Sequence, residues 1–426
     1  MRETHYDICI LGGGMAGCAA ALAAARSGAQ VVLVERMGFL GGAATAGAVS
    51  QLVGWHTRAG RKVIAGVADE IVSALRAIGG ATEFDRFVMS TGNVMDRLGY
   101  DPDLMKVTLD RLISNAGVQV MFHTAFVESR GVGGLIESIT VATLGGRLDI
   151  YARCFLDMSG DLALLSDAGA RFLPEAEHGR QPATMMFALA PVDFACLDAV
   201  TIDEKNKIIA AGLACGALPR AALHHSRVPG SNVGWFNISR VKVDATDPVS
   251  LSRGEMEGRE QALAIARFLI ENLPGCEGAR LCQFAPVLGV RDTRRVEGLH
   301  VLTASELRQN EPFKDTIACG AYPIDIHHAN SHALTIEEFG EDHYYRIPFR
   351  SLLPVGLRNI ATAGRGLSAD ETAFAAVRVM PTAMATGHAA GIAAVIASEM
   401  NVVDFAGVPI ARLRESLLLQ NAFLGN

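Results

Sequence analysis

A glycine-rich turn between two apolar segments near the N-terminus constrains this chain more than any other feature. An apolar run over 8–11 leads into a glycine triplet that begins at Gly12, and Gly17 follows at the start of an alanine-rich stretch. A second apolar run occupies 31–34. This is the G-x-G-x-x-G pattern inside a complete βαβ frame. In such a frame Gly12 permits a sharp turn, Gly14 lets a pyrophosphate approach, and Gly17 lets the helix pack closely on the strand.

The same frame predicts where a nucleotide would bind. The helix that begins at Met15 and Ala16 presents backbone N–H groups to phosphates. Glu35 ends the second apolar run, roughly 20 residues beyond the glycines, where a carboxylate accepts hydrogen bonds from ribose hydroxyls. The pattern therefore predicts a dinucleotide site. A glycine- and alanine-rich core unit without a ligand would not explain the position of Glu35.

The residues after Glu35 distinguish between dinucleotides. Arg36 follows directly, and a second glycine-rich turn then brings Gly41, Gly42 and Ala43. A simple NAD-binding unit usually continues into an ordinary βα unit at this point. The observed run instead resembles the two-dinucleotide-binding-domain flavoproteins, in which this segment passes the FAD pyrophosphate and ribityl chain. FAD is therefore the predicted cofactor.

The C-terminal part of the chain supports the same cofactor. A predicted strand ends in Gly364 and Arg365, which resembles the late strand that meets the ribityl chain in those flavoproteins. Met380 and Thr382 flank a proline at the start of a long helix, where proline is favoured. The positive end of that helix could stabilise negative charge on a reduced flavin. Further cofactor contacts are predicted at Phe126, Val127, Ser159, Gly160 and Arg378.

Composition limits the other classes of function. The chain has 426 residues, half of them apolar, which is enough for two or three domains with a large core. The formal charge of −7 and the lack of a long basic run argue against nucleic acid as a partner. The eight cysteines include no C-x-x-C pair, so we predict no metal or iron–sulfur site and a reducing, cytoplasmic location. Glycines and charges interrupt the apolar runs, so no membrane span is expected.

The predicted fold class is α/β. We expect a discontinuous, Rossmann-like FAD-binding domain of the glutathione-reductase type, with an inserted mixed α+β substrate domain. The FAD-binding domain would comprise 1–50, 100–185 and 345–426, with a helical insertion near the substrate pocket over 51–99 and the substrate domain over 186–344. Aspartate and proline at 101–102 predict a helix start, and a second strong helix is expected over 254–273. No second G-x-G-x-x-G follows a strand, so a built-in NAD(P)H domain is not expected.

Most of the chain resembles the FAD-dependent oxidoreductases that are distantly related to the fumarate reductase and succinate dehydrogenase flavoproteins. The resemblance lies in the N-terminal glycine segment and in residues 181–187, 289–298, 322–327, 363–368 and 378–382. It implies the fold and a flavin but no particular substrate. One departure concerns residues 369–374, which contain no histidine although the family often carries histidines there.

A flavoenzyme needs a clamp for its substrate and a group that moves a proton. Arg291 and Arg295 share one face of an extended segment and could hold a carboxylate, or they could anchor the fold or FAD phosphates. His327 or its neighbour His328 could serve as the base, or either could be a structural histidine. Tyr345 could line the pocket between the domains or only pack there.

These residues predict an FAD-dependent dehydrogenase or oxidase. It would move hydride between a small polar, carboxylate-bearing substrate and flavin N5, with oxygen, a quinone or a partner protein as electron acceptor. Two alternatives stay open: an NAD(P)H-driven reductase or monooxygenase, and a flavin-carrying subunit of an electron-transfer complex. The predicted partner is a small molecule, and association into a homo-oligomer is left open.

Overall fold

The structure, a computed structural model, describes residues 3–88, 94–175, 179–328, 334–400 and 403–425. From residue 3 to 175 the elements are, in order, β1 (Glu3–Leu11), α1 (Met15–Arg26), β2 (Val31–Val34), β3 (Gln51–Val53), α2 (Val67–Ala77), β4 (Asp85–Val88), β5 (Val94–Gly99), α3 (Pro102–Asn115), β6 (Gln119–Met121), β7 (Ala125–Val132), β8 (Leu135–Thr143), β9 (Gly146–Asp157) and α4 (Ala163–Asp167).

The remaining elements follow in the same numbering. They are β10 (Phe187–Ala190), α5 (Phe194–Ala199), α6 (Ile202–Ala214), β11 (His225–Arg227), β12 (Gly234–Phe236), α7 (Pro248–Asn272), β13 (Arg280–Phe284), α8 (Ala304–Gln309), β14 (Thr316–Gly320), β15 (Ile324–His327), β16 (Leu334–Glu337), β17 (Tyr345–Pro348), β18 (Ile360–Thr362), α9 (Glu371–Val377), α10 (Met380–Ser398) and α11 (Ile410–Leu419).

The central sheet contains the predicted βαβ unit. Strands β6, β2, β1, β9, β8 and β7 pair in that order, and β18 also pairs with β9. The pairs that β1 makes with β2 and β9 are parallel, as is the pair between β18 and β9. The sheet thus begins with the N-terminal strand and receives the late strand from the C-terminal part of the chain, so the predicted α/β arrangement with a Rossmann-like parallel sheet is confirmed.

Small residues bring two helices together against this sheet. A Cβ on Gly387 of α10 would lie 2.2 Å from the carbonyl oxygen of Ala16 in α1. A Cβ on Gly391 would lie 2.4 Å from that of Ala20. Because these glycines are one helical turn apart, they lie on the same face and let the two backbones touch. The alanine and glycine content of both helices is therefore a requirement of their close packing.

A second antiparallel sheet contains β11, β12, β10 and β13, in that order. Together with α7 it encloses a separate hydrophobic core that includes Phe187, Trp235 and Phe236. Apolar residues between 302 and 353 instead belong to the core around α1 and α10. The predicted unit 186–344 is therefore divided between two cores, and the proposed domain boundaries stay a prediction.

The prediction for residues 51–99 was wrong in its secondary structure. The segment contains one helix, α2, but its strands β3, β5 and β4 pair antiparallel where a helical insertion was expected. Strand β3 pairs with β5 across more than forty residues of chain, with Gln51 opposite Gly99. Short strands that pair over such a distance have no local signal comparable to a helix cap or a tight hairpin turn.

The N-terminal caps of α3 and α7 explain how well the starts of these two helices were predicted. Asp101 caps α3 by accepting hydrogen bonds from the N–H groups of Asp103 and Leu104. The helix predicted over 254–273 begins earlier, at Pro248, because Asp247 caps it in the same way. Both helices thus use an aspartate followed by proline, which is favoured at the first helical position.

Helix α10 is long and apolar enough to cross a membrane by length and composition. However, 89% of its apolar window is buried inside the protein fold. Such burial is typical of the core helix of a soluble protein, and the packing of α10 against α1 accounts for its apolar composition.

Candidate active site

The glycine triplet after β1 makes the tight turn that was predicted. Gly12 has a φ of +103°, and a Cβ there would lie 2.5 Å from the carbonyl oxygen of Met158. A Cβ on Gly17 would lie 1.9 Å from the carbonyl oxygen of Gly12. Both positions therefore exclude a side chain because backbone occupies the space, and the turn places the start of α1 beside the ends of β1 and β9.

The second glycine-rich turn packs on the first. The N–H of Gly41 donates to the carbonyl oxygen of Gly13 at 2.7 Å. A Cβ on Gly42 would lie 2.9 Å from the Cα of Gly14, whereas a Cβ on Gly14 would meet only the Cα of Gly42, at 4.0 Å. The backbone of Gly14 therefore faces open space in the groove. A pyrophosphate needs such space to approach the backbone closely.

Glu35 is held at one end of this groove by backbone donors. Its Oε2 accepts from the N–H of Gly13 at 2.7 Å, and its Oε1 accepts from the N–H of Met37 at 2.8 Å. The side chain is buried and still lines the groove. The two hydrogen bonds fix the carboxylate where the βαβ frame predicts a ribose contact.

The other end of the groove is formed by residues that follow β9 and β18. Gly160 has a φ of +77°, and a Cβ there would lie 2.6 Å from a guanidinium nitrogen of Arg365. Arg365 donates through Nη2 to Asp161 Oδ1 at 3.0 Å. Its Nη1 is buried and has no partner among the described residues. The beginning of α10 adds Met380 and Ala383 to the same wall.

The groove has the chemistry that a dinucleotide requires. It connects a fixed carboxylate, two glycine turns at a helix N-terminus and an arginine with an unpaired nitrogen. The predicted cofactor residues that line it are Gly12, Gly14, Met15, Ala16, Glu35, Arg36, Gly42, Ala43, Ser159, Gly160, Gly364, Arg365, Arg378 and Met380. The lining also includes 287–290, which the sequence analysis did not predict as cofactor contacts. The contact of each residue with the cofactor stays a prediction.

Five predicted cofactor residues do not line the groove. Gly17 and Gly41 shape it through backbone packing, and Thr382 is fully buried in the first turn of α10. Phe126 and Val127 lie on β7, and Phe126 packs against the core on one face of the central sheet. The N–H of Thr124, just before β7, donates to the carbonyl oxygen of Glu35 at 3.1 Å, so this strand begins beside the groove and the cofactor contacts of Phe126 and Val127 stay a prediction.

A second cavity adjoins the groove. The two share Ala43, Gly289, Val290, Arg365, Arg378 and Met380. Residues that line only the second cavity come from distant parts of the chain and are mostly polar; they include Gln51, Thr184, Asn237, Arg291, Tyr322, Asp325 and His327. We call this space the substrate cavity, and it lies between β3, β15 and the segments next to β10 and β12.

Two arginines at the substrate cavity have no acidic partner. Arg291 donates to the carbonyl oxygen of Pro182 and to Thr184 Oγ1, both at 2.7 Å. Arg220 lies behind the cavity wall, 5% exposed, and donates to the carbonyl oxygen of Asn237. Among the described residues neither guanidinium has a carboxylate within 4 Å. Removal from water lowers the pKa of Arg291 to about 9, with Arg220 and Arg378 adding to the effect, and it lowers that of Arg220 to about 10.

Asp325 is the carboxylate at the centre of this positive region. Its Oδ2 accepts from the Tyr322 hydroxyl at 2.7 Å and lies 3.4 Å from His327 Nε2 and 3.8 Å from Arg378 Nη2. Burial alone would raise the pKa of Asp325. The neighbouring histidine, arginine and tyrosine outweigh burial and hold that pKa below its usual value. Asp325 is therefore ionised at neutral pH.

His327 lies in the cavity, as the search for a base predicted, but both of its ring nitrogens are engaged. Nδ1 is 3.4 Å from Arg220 Nη1, which can only donate, so we assign the proton to Nε2, which faces Asp325. Burial lowers the pKa of His327 to about 3. A neutral imidazole held on both sides is a poor acceptor for a substrate proton. His328 instead contacts Thr335 Oγ1 at 2.7 Å and does not line the cavity.

The structure does not bring Arg295 and Tyr345 to the substrate cavity. Arg295 is buried and donates to the carbonyl oxygens of Ala369 and Pro174, at 3.1 and 2.8 Å. The Tyr345 ring is fully buried, and its hydroxyl donates to the carbonyl oxygen of Ala376 at 3.0 Å. Neither residue lines the substrate cavity, and each donates to backbone carbonyls, so a catalytic role for either stays a prediction that these contacts do not support.

Several cavity residues had no signal that sequence reasoning could use. Asp325 lies within the segment 322–327 that resembled the flavoprotein family, yet only the histidine of that segment was selected. Gln51, Asn237 and Arg220 belong to no motif, and they meet only because the second sheet packs against the flavin groove.

Comparison with known proteins identifies the family. The model of the FAD-dependent oxidoreductase family matches residues 7–417, so the chain belongs to that family, and FAD is its cofactor. No curated protein matches the chain. Among solved structures, a geranylgeranyl bacteriochlorophyll reductase-like protein from Thermoplasma acidophilum is 14% identical, with a TM-score of 0.55 over 99% of this chain and 85% of that one. The flavin-dependent brominase Bmp2 is 12% identical, with a TM-score of 0.53 over 97% and 83%. These two similarities establish the fold.

Proposed function

We propose that this FAD-dependent oxidoreductase is a dehydrogenase or oxidase of a small carboxylate-bearing substrate that binds in the substrate cavity. Bound FAD, held by the groove residues, would supply the hydride acceptor, flavin N5. Oxygen, a quinone or a partner protein would take up the electrons. The narrower relationship to the fumarate reductase flavoproteins is part of this proposal and rests on sequence motifs.

The observation that carries the proposal is the uncompensated positive charge at the cavity. Arg220, Arg291 and Arg378 lie around the ionised carboxylate of Asp325, while burial raises the pKa of Asp292, a second carboxyl group that interacts with Arg378. Like charges this close repel one another, and desolvation strengthens the repulsion. A bound carboxylate would relieve it and could receive charge-assisted hydrogen bonds from an arginine fork.

Arg291 and Arg378 are both oriented by neighbouring protein groups. Arg291 is held by Thr184 and the carbonyl of Pro182, so its guanidinium is oriented before any ligand arrives. Arg378 is oriented by Gln181 Oε1 at 3.1 Å and retains a buried Nε without a partner among the described residues. These two arginines are the proposed clamp for the substrate carboxylate.

The first test is the visible spectrum of the purified protein under anaerobic conditions. Small organic acids and NAD(P)H are added one at a time while the flavin absorbance is recorded. We expect the flavin to be reduced by an organic carboxylate without NAD(P)H. Reduction by NAD(P)H alone would contradict the proposal and would favour a reductase or monooxygenase.

The second test is Arg291→Gln, with the exposed Arg280→Gln as the matched control. Loss of a buried charged hydrogen-bond donor typically costs about 3 kcal/mol, so kcat/KM for the carboxylate substrate should fall about 100-fold, mostly through KM. The control should leave kcat/KM unchanged within a factor of two. If Arg291→Gln behaved like the control, the carboxylate clamp would be rejected.

A further inference from the structure

The substrate cavity contains unsatisfied acceptors as well as excess positive charge. The Oδ1 atom of Asp325 and the Oε1 atom of Gln51 are both buried and have no hydrogen-bond partner among the described residues. Both residues line the substrate cavity, and neither lines the FAD groove. A buried acceptor without a partner costs about 1–3 kcal/mol, so native structures rarely keep one unless a ligand or water satisfies it.

The two oxygens of Asp325 have different environments. Oδ2 receives the Tyr322 hydroxyl, faces the Nε2–H of His327 and pairs with Arg378. This set of donors fixes the rotation of the carboxylate and leaves Oδ1 without a donor. Asp325 is 7% exposed, so bulk water has little access to it. A ligand in the cavity is therefore the natural donor to Oδ1.

The charges around Asp325 restrict what kind of donor that ligand carries. Three guanidinium groups around the ionised Asp325 give a positive local balance, which disfavours a further cation such as a substrate ammonium. A hydroxyl donates a hydrogen bond without adding charge. The donor that suits both observations is therefore a hydroxyl group.

The spacing places this hydroxyl close to the anionic group. Arg378 Nη2 lies 3.8 Å from Asp325 Oδ2, so one end of the proposed carboxylate clamp is adjacent to the free acceptor. A ligand whose carboxylate binds Arg378 can therefore present a hydroxyl on the adjacent carbon to Asp325. We infer that the substrate cavity recognises 2-hydroxy carboxylates, with Asp325 as the acceptor of the hydroxyl hydrogen bond. This inference rests on the proposed function.

The test measures binding to the intact flavoprotein, with the flavin chemically reduced beforehand so that no substrate can be oxidised. Dissociation constants are determined by calorimetry for three series on fixed carbon skeletons: propionate, lactate and alanine; succinate, malate and aspartate; phenylacetate, mandelate and phenylglycine. In at least one series we expect the hydroxy acid to bind about tenfold or more tightly than the unsubstituted acid. The amino acid should bind no more tightly than the unsubstituted acid.

Two variants test the assignment to named atoms. In Asp325→Asn the Tyr322 and His327 donors hold the amide oxygen, so the amide NH₂ replaces the free acceptor. The tenfold preference for the hydroxy acid should then fall below twofold, while affinity for the unsubstituted acid should rise because the negative charge beside the clamp is gone. Gln51→Leu removes the second acceptor without disturbing that network and should reduce the preference about threefold. The exposed Gln309→Leu is the control and should change nothing.

The possible failures are distinguishable. If no acid of the three series binds, the carboxylate clamp and the proposed function are overturned together. If the unsubstituted acids bind but the hydroxy acids gain nothing, the inference is overturned and the proposed function stands. Preference for the amino acids, or an unchanged hydroxyl preference in both Asp325→Asn and Gln51→Leu, would also overturn the inference.

Discussion

The FAD groove and the substrate cavity share six residues but are built from different materials. The groove is made largely of backbone, with glycine turns at Gly12–Gly14 and Gly41–Gly42 and the first turns of two helices. The substrate cavity is made of side chains, with arginines, an aspartate, a tyrosine and amides converging from six separate segments. The first requires small residues at fixed spacing along the chain, and the second requires a particular packing of distant segments.

This difference explains how each region would tolerate change. A glycine in the groove is required by protein atoms that lie where its side chain would be, such as the Met158 carbonyl beside Gly12, so substitution affects the fold or cofactor binding directly. An arginine in the cavity is required by what it binds, so substitution affects ligands more than stability. Four predictions test that contrast, beginning with the largest expected effect.

Gly17→Ala should strongly destabilise the flavin-binding fold. The added Cβ would lie 1.9 Å from the carbonyl oxygen of Gly12, and backbone on both sides cannot move independently. Overpacking of this kind costs about 3 kcal/mol, which should lower the melting temperature of the protein measured by circular dichroism. Gly28→Ala is the control. Gly28 has a φ of +92°, and its added Cβ would meet no atom within 4 Å, so this variant shows the effect of backbone strain without a clash. A melting temperature for Gly17→Ala no lower than that of the control would contradict the packing argument.

Arg295→Gln should destabilise the protein without weakening substrate binding. It removes two hydrogen bonds to the carbonyls of Ala369 and Pro174 and leaves buried acceptors behind, at a cost of about 2 kcal/mol. Its KM should stay within twofold of wild type, the reverse of the pattern expected for Arg291→Gln. Thermal unfolding and steady-state kinetics on both variants provide the comparison. A raised KM in Arg295→Gln at unchanged stability would place that residue in the substrate site after all.

Gly14→Ala should fold normally but bind FAD about tenfold less tightly, a loss of about 1.4 kcal/mol. The new methyl group would meet only the Cα of Gly42, at 4.0 Å, so the fold has room for it, yet it would occupy space in the groove. FAD affinity is measured by titrating the apoprotein, and circular dichroism checks the fold. Unchanged affinity would show that the pyrophosphate does not approach Gly14.

Two buried histidines should make stability fall as the pH is lowered. Burial lowers the pKa of His327 to about 3 and that of His388 to about 4, whereas both titrate near 6.5 when unfolded. The unfolded chain therefore binds more protons, and the stabilisation that is complete above pH 6.5 is lost as the pH falls toward each folded pKa. Each histidine should cost roughly 1 kcal/mol between pH 6.5 and 5.5.

Two variants separate the contribution of each histidine to this pH dependence. His327→Gln removes the histidine of the substrate cavity, and His388→Gln removes the one buried in α10. Each should reduce the dependence of the free energy of unfolding on pH by about one proton in the acid range. The part of the pH dependence that His388→Gln removes should end near pH 4, and the part that His327→Gln removes should end near pH 3. A pH dependence unchanged in His327→Gln would mean that His327 is not held neutral in the folded protein.

Sequence reasoning succeeded where the signal was local. The turn at Gly12, the cap at Asp101 and the start of α10 at Met380 each depend on residues within one or two turns of chain, and all three are present. It failed for the strands of 51–99, and it did not anticipate that Arg295 and Tyr345 lie outside the lining of the substrate cavity. Those outcomes depend on which segments pack together, and the residue type alone cannot distinguish an arginine that holds a carboxylate from one that holds backbone carbonyls.

The sequence by itself determined the βαβ unit, the family and the cofactor, because a nucleotide groove is built from backbone and its glycines are set by spacing along the chain. Only the tertiary structure decided the composition of the substrate cavity. Arg220 meets His327, and Gln51, Asn237 and Asp325 line one space, only after segments far apart in the chain have packed together. The net charge of the cavity and its unsatisfied hydrogen-bonding groups depend on which side chains come together. They therefore cannot be read from any single segment of the chain.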